Sequence, residues 1–213
     1  MATAIIYGAP GSGKTINATR LPGKSLLLSS DNSALVLNNF DRPNLTIQEV
    51  KSFKEFLDAF EASIAEKQYD NVIIDCLTDI IDARTVELRV KGFSGDIRQH
   101  YLDIYSKVKD LVRRAAYSQT NVVFTCWDDI TTKTLPTGEI VNYVSPMLPA
   151  KIKNSVCGLC NVVAYVATAM NSKGERQWYF TMEGSDGLMA KDQMFMRKNC
   201  LPENLFTKPE AKK

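Results

Sequence analysis

The residues Gly8-Ala9-Pro10-Gly11-Ser12-Gly13-Lys14-Thr15 fit the pattern G-x-x-x-x-G-K-[ST] at every fixed position. Because glycine has no Cβ, the backbone of such a loop can adopt positive φ and turn its N–H groups inward around phosphate oxygens. The apolar run Thr3 to Tyr7 precedes the loop as a strand, and Thr15 to Leu21 follows as a helix that ends at Pro22-Gly23. This order of strand, loop and helix is typical of a phosphate-binding loop, since the helix N-terminus also attracts anions.

The residues of this loop have expected roles toward a nucleotide. Lys14 should reach the β- and γ-phosphates of ATP, and the Thr15 hydroxyl should bind Mg²⁺, which takes few protein ligands and keeps several waters. The other residues expected to contact the nucleotide are Gly8, Ala9, Pro10, Gly11, Ser12, Gly13 and Ile16. We therefore predict ATP and Mg²⁺ as the cofactors.

A carboxylate at the end of a later strand supports this interpretation. The run Tyr69-Asp70-Asn71-Val72-Ile73-Ile74-Asp75 contains three β-branched apolar residues and ends in an aspartate. In P-loop enzymes an aspartate in this position holds the Mg²⁺ ion and its water shell. We predict that Asp75 and Thr15 together form the metal site.

The composition is that of an ordinary globular protein. The 213 residues are 45% hydrophobic and 23% charged, with a net charge of +2, which neither requires nor excludes a nucleic-acid partner. No apolar run approaches 18 residues, so we expect no membrane span. The chain starts directly in the first strand, which leaves no room for a signal peptide. We therefore expect a cytoplasmic protein, in the host-cell cytoplasm if a phage encodes it.

The cysteines are consistent with the predicted cytoplasmic location. There are five of them, and without a secretory signal they are expected to be reduced thiols. Cys157 and Cys160 form a single C-x-x-C, whereas a structural zinc site needs four ligands. Buried packing is the expected role of this pair, with metal or redox chemistry as the alternative.

The order of elements predicts an α/β fold. Apolar strands alternate with helical patterns, which favours a mostly parallel central sheet with helices on both faces. Residues 161–169 and 176–182 should form an antiparallel hairpin at one edge. Ligands of such sheets lie at the carboxyl ends of the strands, so we expect four residues to converge there: Gly8, Asp31, Asp75 and Trp127.

The remaining segments are less regular. Ser52 and Glu55 predict a capping box at the start of a helix that runs to about Lys67. Residues 82–118 should be mostly helical with a break at 91–96, and Trp127 to Lys153 reads as a long functional loop. Residues 1–206 are predicted to be the core, and 207–213 a disordered Lys-rich tail.

In the order and spacing of its motifs the chain resembles the RecA-like P-loop NTPases. More closely, residues 2–193 look like the minimal RecA-like ATPases encoded by phages, a group that includes single-strand annealing and recombination proteins. The features that carry this resemblance are the two nucleotide motifs, the carboxylate Asp31, the terminal hairpin and Ala190-Lys191-Asp192. The resemblance implies an ATPase, slow or stimulated by DNA, that forms a homo-oligomer, either ring or filament. It also implies single-stranded DNA and a single-strand-binding protein as partners.

The resemblance also implies roles for individual residues. Asp31 would polarise the attacking water, although a turn-capping aspartate is the alternative. Trp127 stands where a polar γ-phosphate sensor is usual, so that role would move to Thr125 or Asp128, or hydrolysis would be slow. Lys191 would stabilise charge in the active site of a neighbouring subunit, and a solvated loop lysine is the alternative.

DNA binding would fall to two loops. The first, residues 91–100, offers the candidates Lys91, Phe93, Arg98 and His100, a mixture suited to phosphates and base stacking. The second, residues 128–146, offers Lys133 as its one cation, against Asp128, Asp129 and Glu139. That near-neutral loop favours an alternative function, a nucleotide-dependent switch or loader that acts through a protein partner. A small-molecule kinase is a third possibility, disfavoured because no Arg-rich lid is evident.

Overall fold

The computed structural model describes residues 1–90, 97–171 and 173–209, apart from the side chains of Asn32, Arg89 and Ile97. The strands are β1 (Thr3–Tyr7), β2 (Ser25–Ser29), β3 (Leu45–Glu49), β4 (Asn71–Asp75), β5 (Asn121–Cys126), β6 (Asp128–Thr134), β7 (Ile140–Pro146), β8 (Val162–Met170), β9 (Arg176–Thr181), β10 (Lys191–Asp192) and β11 (Asn199–Cys200). The α-helices are α1 (Lys14–Ala18), α2 (Phe53–Glu66), α3 (Leu77–Val90), α4 (Ile97–Tyr117) and α5 (Ala150–Leu159), and 3₁₀ helices cover Asn32–Asn39 and Pro202–Asn204.

One large sheet organises the described ranges. Its strand order is β11-β9-β8-β1-β5-β4-β2-β3, and β10 also pairs with β8. Every neighbouring pair from β8 to β3 is parallel, whereas β9, β10 and β11 add to the β8 edge in antiparallel pairings. The predicted α/β architecture, with its parallel sheet and edge hairpin, is confirmed. Strand β5 lies between β1, which leads into the glycine-rich loop, and β4, which ends in Asp75.

Both faces of this sheet are buried, as expected of a parallel sheet covered by helices. Ile5 and Tyr7 of β1 face a core that contains Phe56 of α2, Ile104 of α4 and Ile152 of α5. The alternate residues Ala4 and Ile6 face the other core, which includes Ala18 of α1 and Leu37 of the 3₁₀ helix. Within the ranges given above, no helix combines the length and the apolar character needed to cross a membrane.

Helix α2 begins as its sequence predicts. The Ser52 hydroxyl accepts a hydrogen bond from the Glu55 backbone N–H at 3.1 Å, and the Glu55 carboxylate accepts one from the Lys51 backbone N–H at 2.9 Å. The first contact satisfies a backbone donor that the first turn of a helix leaves without a partner, and the second binds the residue before the N-cap. The helix ends at Lys67, which adopts positive φ. The predicted break at residues 91–96 lies outside the described residues.

The prediction of a long loop from Trp127 to Lys153 is wrong. Strands β6 and β7 form an antiparallel hairpin in this segment, and α5 begins immediately after Pro149. The hairpin turn is closed by hydrogen bonds from the Leu135 N–H to the Glu139 carbonyl and from the Gly138 N–H to the Leu135 carbonyl. Pro149 directly precedes α5, where a proline costs little because backbone N–H groups at a helix N-terminus have no helical acceptor.

The C-terminal segment is fixed by a buried ion pair. The Asp192 carboxylate accepts a hydrogen bond from Arg197 Nε at 2.6 Å, and its side chain is 0% exposed. Arg197 also donates to the backbone carbonyls of Asn204, Leu205 and Thr207. The chain is therefore ordered by contacts up to the start of the predicted tail, of which residues 210–213 lie outside the described ranges.

Candidate functional site

An open cleft of about 440 Å³ lies where β1, β2, β4 and β5 end. Its walls include the glycine-rich loop together with Lys14, Asp31, Asp75 and Trp127. Sequence reasoning placed these residues at strand ends, and the parallel sheet brings them together. Gly8, the first residue after β1, begins the loop that forms one wall.

The backbone of the glycine-rich loop requires its glycines. Gly11 and Gly13 have φ of 76° and 92°, in the region that L side chains rarely adopt. At Gly13 a Cβ would also lie 2.9 Å from both the Asn17 side-chain amide and the Trp178 indole nitrogen. The loop therefore combines left-handed backbone with close approach of a side chain from a distant strand.

That side chain, Trp178, is a site residue that sequence analysis missed. Its indole Nε1 donates a hydrogen bond to the Ser12 carbonyl at 3.2 Å, and the Arg176 guanidinium lies 5.9 Å from the ring centroid. Trp178 reaches the loop because β9 pairs with β8, which in turn pairs with β1. No local pattern indicates such a contact, since it depends on the order of strands in the sheet.

Lys14 is buried at the base of the loop. Its side chain donates hydrogen bonds to the carbonyl oxygens of Gly8 and Ala9, both at 2.9 Å, and the residue is 7% exposed. Burial lowers the pKa of Lys14, and the nearby thiol of Cys76 and carboxylate of Asp75 oppose that shift. The ammonium is bonded to neutral carbonyls, so its charge would be better satisfied by an anion in the cleft.

Asp75 is held by three hydroxyl groups. Thr15 and Ser33 donate to Oδ2 at 2.7 and 2.6 Å, and Thr125 donates to Oδ1 in a short hydrogen bond. The residue is 2% exposed. The predicted pair of Thr15 and Asp75 is therefore in direct contact. Ser33 was missed, because nothing local marks a serine that contacts a strand 42 residues away.

Asp31 lies on the wall of the same cleft and also caps the 3₁₀ helix. Its Oδ1 accepts a hydrogen bond from the Ser33 backbone N–H at 3.0 Å. The turn-capping role weighed for this residue is thus present in the structure. Its role in polarising the attacking water stays a prediction.

The place of the expected phosphate sensor is occupied by Trp127. Its backbone N–H donates to the Thr78 hydroxyl at 3.2 Å, and the residue lines the cleft. Of the two substitutes considered, Thr125 contacts the Asp75 carboxylate directly, whereas Asp128 is the first residue of the β6–β7 hairpin. Thr125 is 0% exposed and is not among the residues that line the cleft, so the sensor role stays a prediction.

Lys191 does not line the cleft of its own chain. It lies on β10, where it pairs with Val163, and its ammonium donates to the Gly158 carbonyl and to the Gln193 side-chain oxygen, both at 3.1 Å. Burial lowers the pKa of this lysine. A role in the active site of a neighbouring subunit stays a prediction.

The predicted DNA-binding residues that the structure describes are not among those that line the cleft. Lys91 and Phe93 lie outside the described residues. Arg98 and His100 lie in the first turn of α4, with Arg98 exposed. Lys133 lies on β6 of the hairpin, with its ammonium 5.2 Å from the centroid of the Tyr143 ring. The second predicted loop is therefore an ordered β-ribbon.

The paired cysteines belong to the core. Cys157 and Cys160 are both buried thiols, packed against the sheet from α5 and from the residue that follows it. Burial raises the pKa of the Cys157 thiol to about 11, so the reactive thiolate is scarce at neutral pH. This environment fits the packing role that was expected.

The match to a protein family supports a nucleotide-binding fold. Residues 1–194 match the protein family described as AAA domain. The structure is similar to the crystal structure of the flagellar accessory protein FlaH from Methanocaldococcus jannaschii, with a TM-score of 0.49 and 12% sequence identity, over 93% of this chain and 83% of that chain. A search of curated protein sequences finds no match.

Proposed function

Because the chain belongs to the AAA domain family, we propose that it binds ATP with Mg²⁺ in the cleft and hydrolyses it to ADP and phosphate. We also propose that this hydrolysis is coupled to the binding of single-stranded DNA. The observation that carries the proposal is the convergence of three groups on one cleft. A buried lysine, a hydroxyl and a carboxylate come from α1 and β4, as Lys14, Thr15 and Asp75.

The residues present fit a magnesium nucleotide. Gly11 and Gly13 give the loop the positive-φ backbone that can turn N–H groups inward around phosphate oxygens. Lys14 has only neutral acceptors among its hydrogen-bond partners. Thr15 and Asp75 supply the hard oxygen ligands that Mg²⁺ prefers. When bound, the metal would neutralise charge on the phosphates and orient them.

Individual side chains would have separate roles in binding and hydrolysis. Lys14 would leave the Gly8 and Ala9 carbonyls to pair with phosphate oxygens. Asp31 would accept a proton from, or orient, the attacking water through the oxygen that does not cap Ser33. Thr125 would hold the Asp75 carboxylate in a fixed orientation.

Action on single-stranded DNA is supported by the resemblance to phage recombination and annealing ATPases and by the position of Arg98 at the start of α4. Each phosphate contact adds to the salt dependence of DNA binding. Arg98→Ala should weaken binding of an oligonucleotide and reduce the slope of affinity against salt by about one contact. Lys24→Ala, at the opposite end of the sheet where β2 begins, is a matched control.

A second function is favoured by the β6–β7 hairpin. Its exposed side chains include Ile130 and Ile140, 64% and 70% exposed, and its acidic residues outnumber its one lysine. Such a surface suits a protein partner better than a phosphate backbone. In this alternative the nucleotide acts as a switch for a loader or adaptor.

One set of measurements separates these functions. ATP turnover and binding of a fluorescent ATP analogue should be measured for the wild type and for Lys14→Ala, each with and without single-stranded DNA at low salt. We expect wild-type binding that Lys14→Ala abolishes, and turnover that rises with DNA. Equal analogue affinity in both proteins would contradict the nucleotide site, whereas turnover that ignores DNA, with no DNA affinity, would favour the partner-dependent switch.

A further inference from the structure

The 3₁₀ helix Asn32–Asn39 is joined to the cleft through a single hydroxyl. Ser33 donates to Asp75 Oδ2 at 2.6 Å, and its backbone N–H donates to Asp31 Oδ1 at 3.0 Å. Among the side chains that the structure describes in this helix, Ser33 is the one that hydrogen bonds to the strand β4. Leu37 of this helix is buried and Ala34 packs against the same core, whereas Leu35 is 64% exposed.

Oδ2 of the Asp75 carboxylate has little remaining capacity to accept hydrogen bonds. A carboxylate oxygen accepts about two hydrogen bonds, and Oδ2 already accepts from both Thr15 and Ser33. Oδ1 accepts from Thr125. Three of the roughly four acceptor sites of the carboxylate are therefore in use, so a cation or one of its waters that bound at Oδ2 would compete with an existing hydroxyl.

Of the three hydroxyl groups that donate to Asp75, the one on Ser33 is held least firmly by the surrounding structure. Thr15 lies in α1, next to a loop that is fixed by Lys14 and Trp178, and Thr125 is 0% exposed within the central strand β5. Ser33 instead lies in a 3₁₀ helix, whose hydrogen bonds have poorer geometry than those of an α-helix. Displacement of Ser33 therefore costs less than displacement of either threonine.

Resting on the proposed nucleotide function, we infer that Ser33 is a positioning residue that couples occupancy of the Asp75 site to the 3₁₀ helix. Its hydroxyl holds the helix against β4. Binding of Mg²⁺ and nucleotide competes with this bond and releases the helix. Asp31 and Val36 both line the cleft from this segment, so its release changes the position of the candidate water-orienting carboxylate and of one cleft wall.

The inference is tested in the full chain with Ser33→Ala, and Ser33→Thr as the variant that keeps the hydroxyl. Ser63→Ala is the control, because it removes a hydroxyl that bonds to the Phe60 carbonyl in α2, outside the cleft. Hydrogen exchange of the peptide that covers residues 32–40 is measured without nucleotide. We expect exchange in Ser33→Ala to be about three- to tenfold faster than in wild type, the effect of losing one hydrogen bond, with Ser33→Thr and Ser63→Ala unchanged.

A second measurement shows whether Ser33 competes with Mg²⁺ for Asp75 or helps to bind the cation. Binding of an ATP analogue is titrated with Mg²⁺ and followed by tryptophan emission. If Ser33 competes with the cation, Ser33→Ala should reach half saturation at a severalfold lower Mg²⁺ concentration than wild type. A higher concentration would mean that Ser33 supports the metal site, which overturns the inference, as would unchanged exchange in the first measurement. If even the wild type fails to bind the analogue, the proposed function fails, while the exchange result without nucleotide still decides whether Ser33 holds the helix.

Discussion

The indole nitrogen of Trp178 lies 3.2 Å from the backbone oxygen of Ser12, so a residue 166 positions later in the chain fixes the centre of the glycine-rich loop. The loop has two glycines with positive φ, and glycine has a large conformational entropy when it is not held. A fixed contact from the sheet lowers the cost of ordering the loop around phosphates. Trp178 thus contributes to the site from a strand that carries no recognisable nucleotide motif.

We expect Trp178→Phe to weaken nucleotide binding without unfolding the protein. The ring would still pack against the loop, but the hydrogen bond to Ser12 would be lost, at a cost of about 1 kcal/mol or fivefold in affinity. Trp127 remains in the cleft as the single tryptophan of that variant, so its emission reports binding. Tyr179→Phe, on the next position of β9, is the control. Wild-type affinity in Trp178→Phe would show that packing alone supports the loop.

Asp75→Asn should separate nucleotide binding from its metal dependence. The amide keeps the shape of the side chain, and its one oxygen can accept from either Thr15 or Thr125, while the other hydroxyl would turn to accept from the amide NH2. It lacks the negative charge that attracts a divalent cation. We expect affinity for an ATP analogue in EDTA to stay within about twofold of wild type, while the gain in affinity on adding Mg²⁺ is lost. Isothermal titration with and without Mg²⁺ measures both. Persistence of the full Mg²⁺ effect would contradict the metal site.

The ion pair of Asp192 and Arg197 predicts a dependence of stability on pH. Burial alone would raise the pKa of Asp192, but the Arg197 guanidinium and the backbone N–H groups of Phe195, Arg197 and Met194 outweigh it and hold the pKa below its usual value. A carboxylate whose pKa is lowered on folding stabilises the protein above its unfolded pKa, about 3.9. That stabilisation is lost as the pH falls through the lowered, folded pKa.

We therefore expect Asp192→Asn to lower the free energy of unfolding by about 3 kcal/mol at pH 7, because it leaves the largely buried Arg197 without its counter-charge. The difference from wild type should shrink as the pH falls below about 4. Urea unfolding at pH 7, 5 and 3 measures this, with the exposed Asp186→Asn as the control. A difference that stays constant across that range would mean that the charge of Asp192 is not what stabilises the segment.

The local parts of the site could be predicted from the sequence, because their contacts are made within the motif itself. Gly11, Gly13 and Lys14 lie within four positions of one another, and their chemistry follows from backbone freedom and charge. The convergence of Asp31 and Asp75 followed from a general property of parallel sheets, that strand ends share an edge. These inferences needed the order of elements but no knowledge of side-chain packing.

The remaining features depend on contacts that no local pattern encodes. Ser33 and Trp178 reach the site only because β2 pairs with β4 and β9 with β8. The β6–β7 hairpin was missed for a different reason. Its alternation of threonine, lysine, valine and tyrosine is a strand pattern, but its outer face is exposed, so it lacks the apolar run by which buried strands are found.

The last prediction concerns Lys191. Its ammonium is bonded to a backbone carbonyl and a side-chain amide oxygen, both neutral, and among the described residues no carboxylate forms an ion pair with it. A half-buried cation without a counter-charge can gain free energy by meeting an anion, and P-loop ATPases often complete their site with a cation from a neighbouring subunit. We expect Lys191→Ala to bind the ATP analogue with wild-type affinity and to lose hydrolysis by at least tenfold. Lys198→Ala, an exposed lysine paired with Glu183, is the control.

Mixing the two inactive variants Lys191→Ala and Lys14→Ala distinguishes this role from a structural one. In a mixed assembly, some interfaces join an intact glycine-rich loop to an intact Lys191, so part of the activity should return and should rise with protein concentration. If Lys191 only ties β10 to the end of α5 through the Gly158 carbonyl, the alanine variant should instead melt at a lower temperature and mixing should restore nothing. Full hydrolysis by Lys191→Ala alone would exclude the role in a neighbouring site, because the cation would then contribute nothing to the reaction.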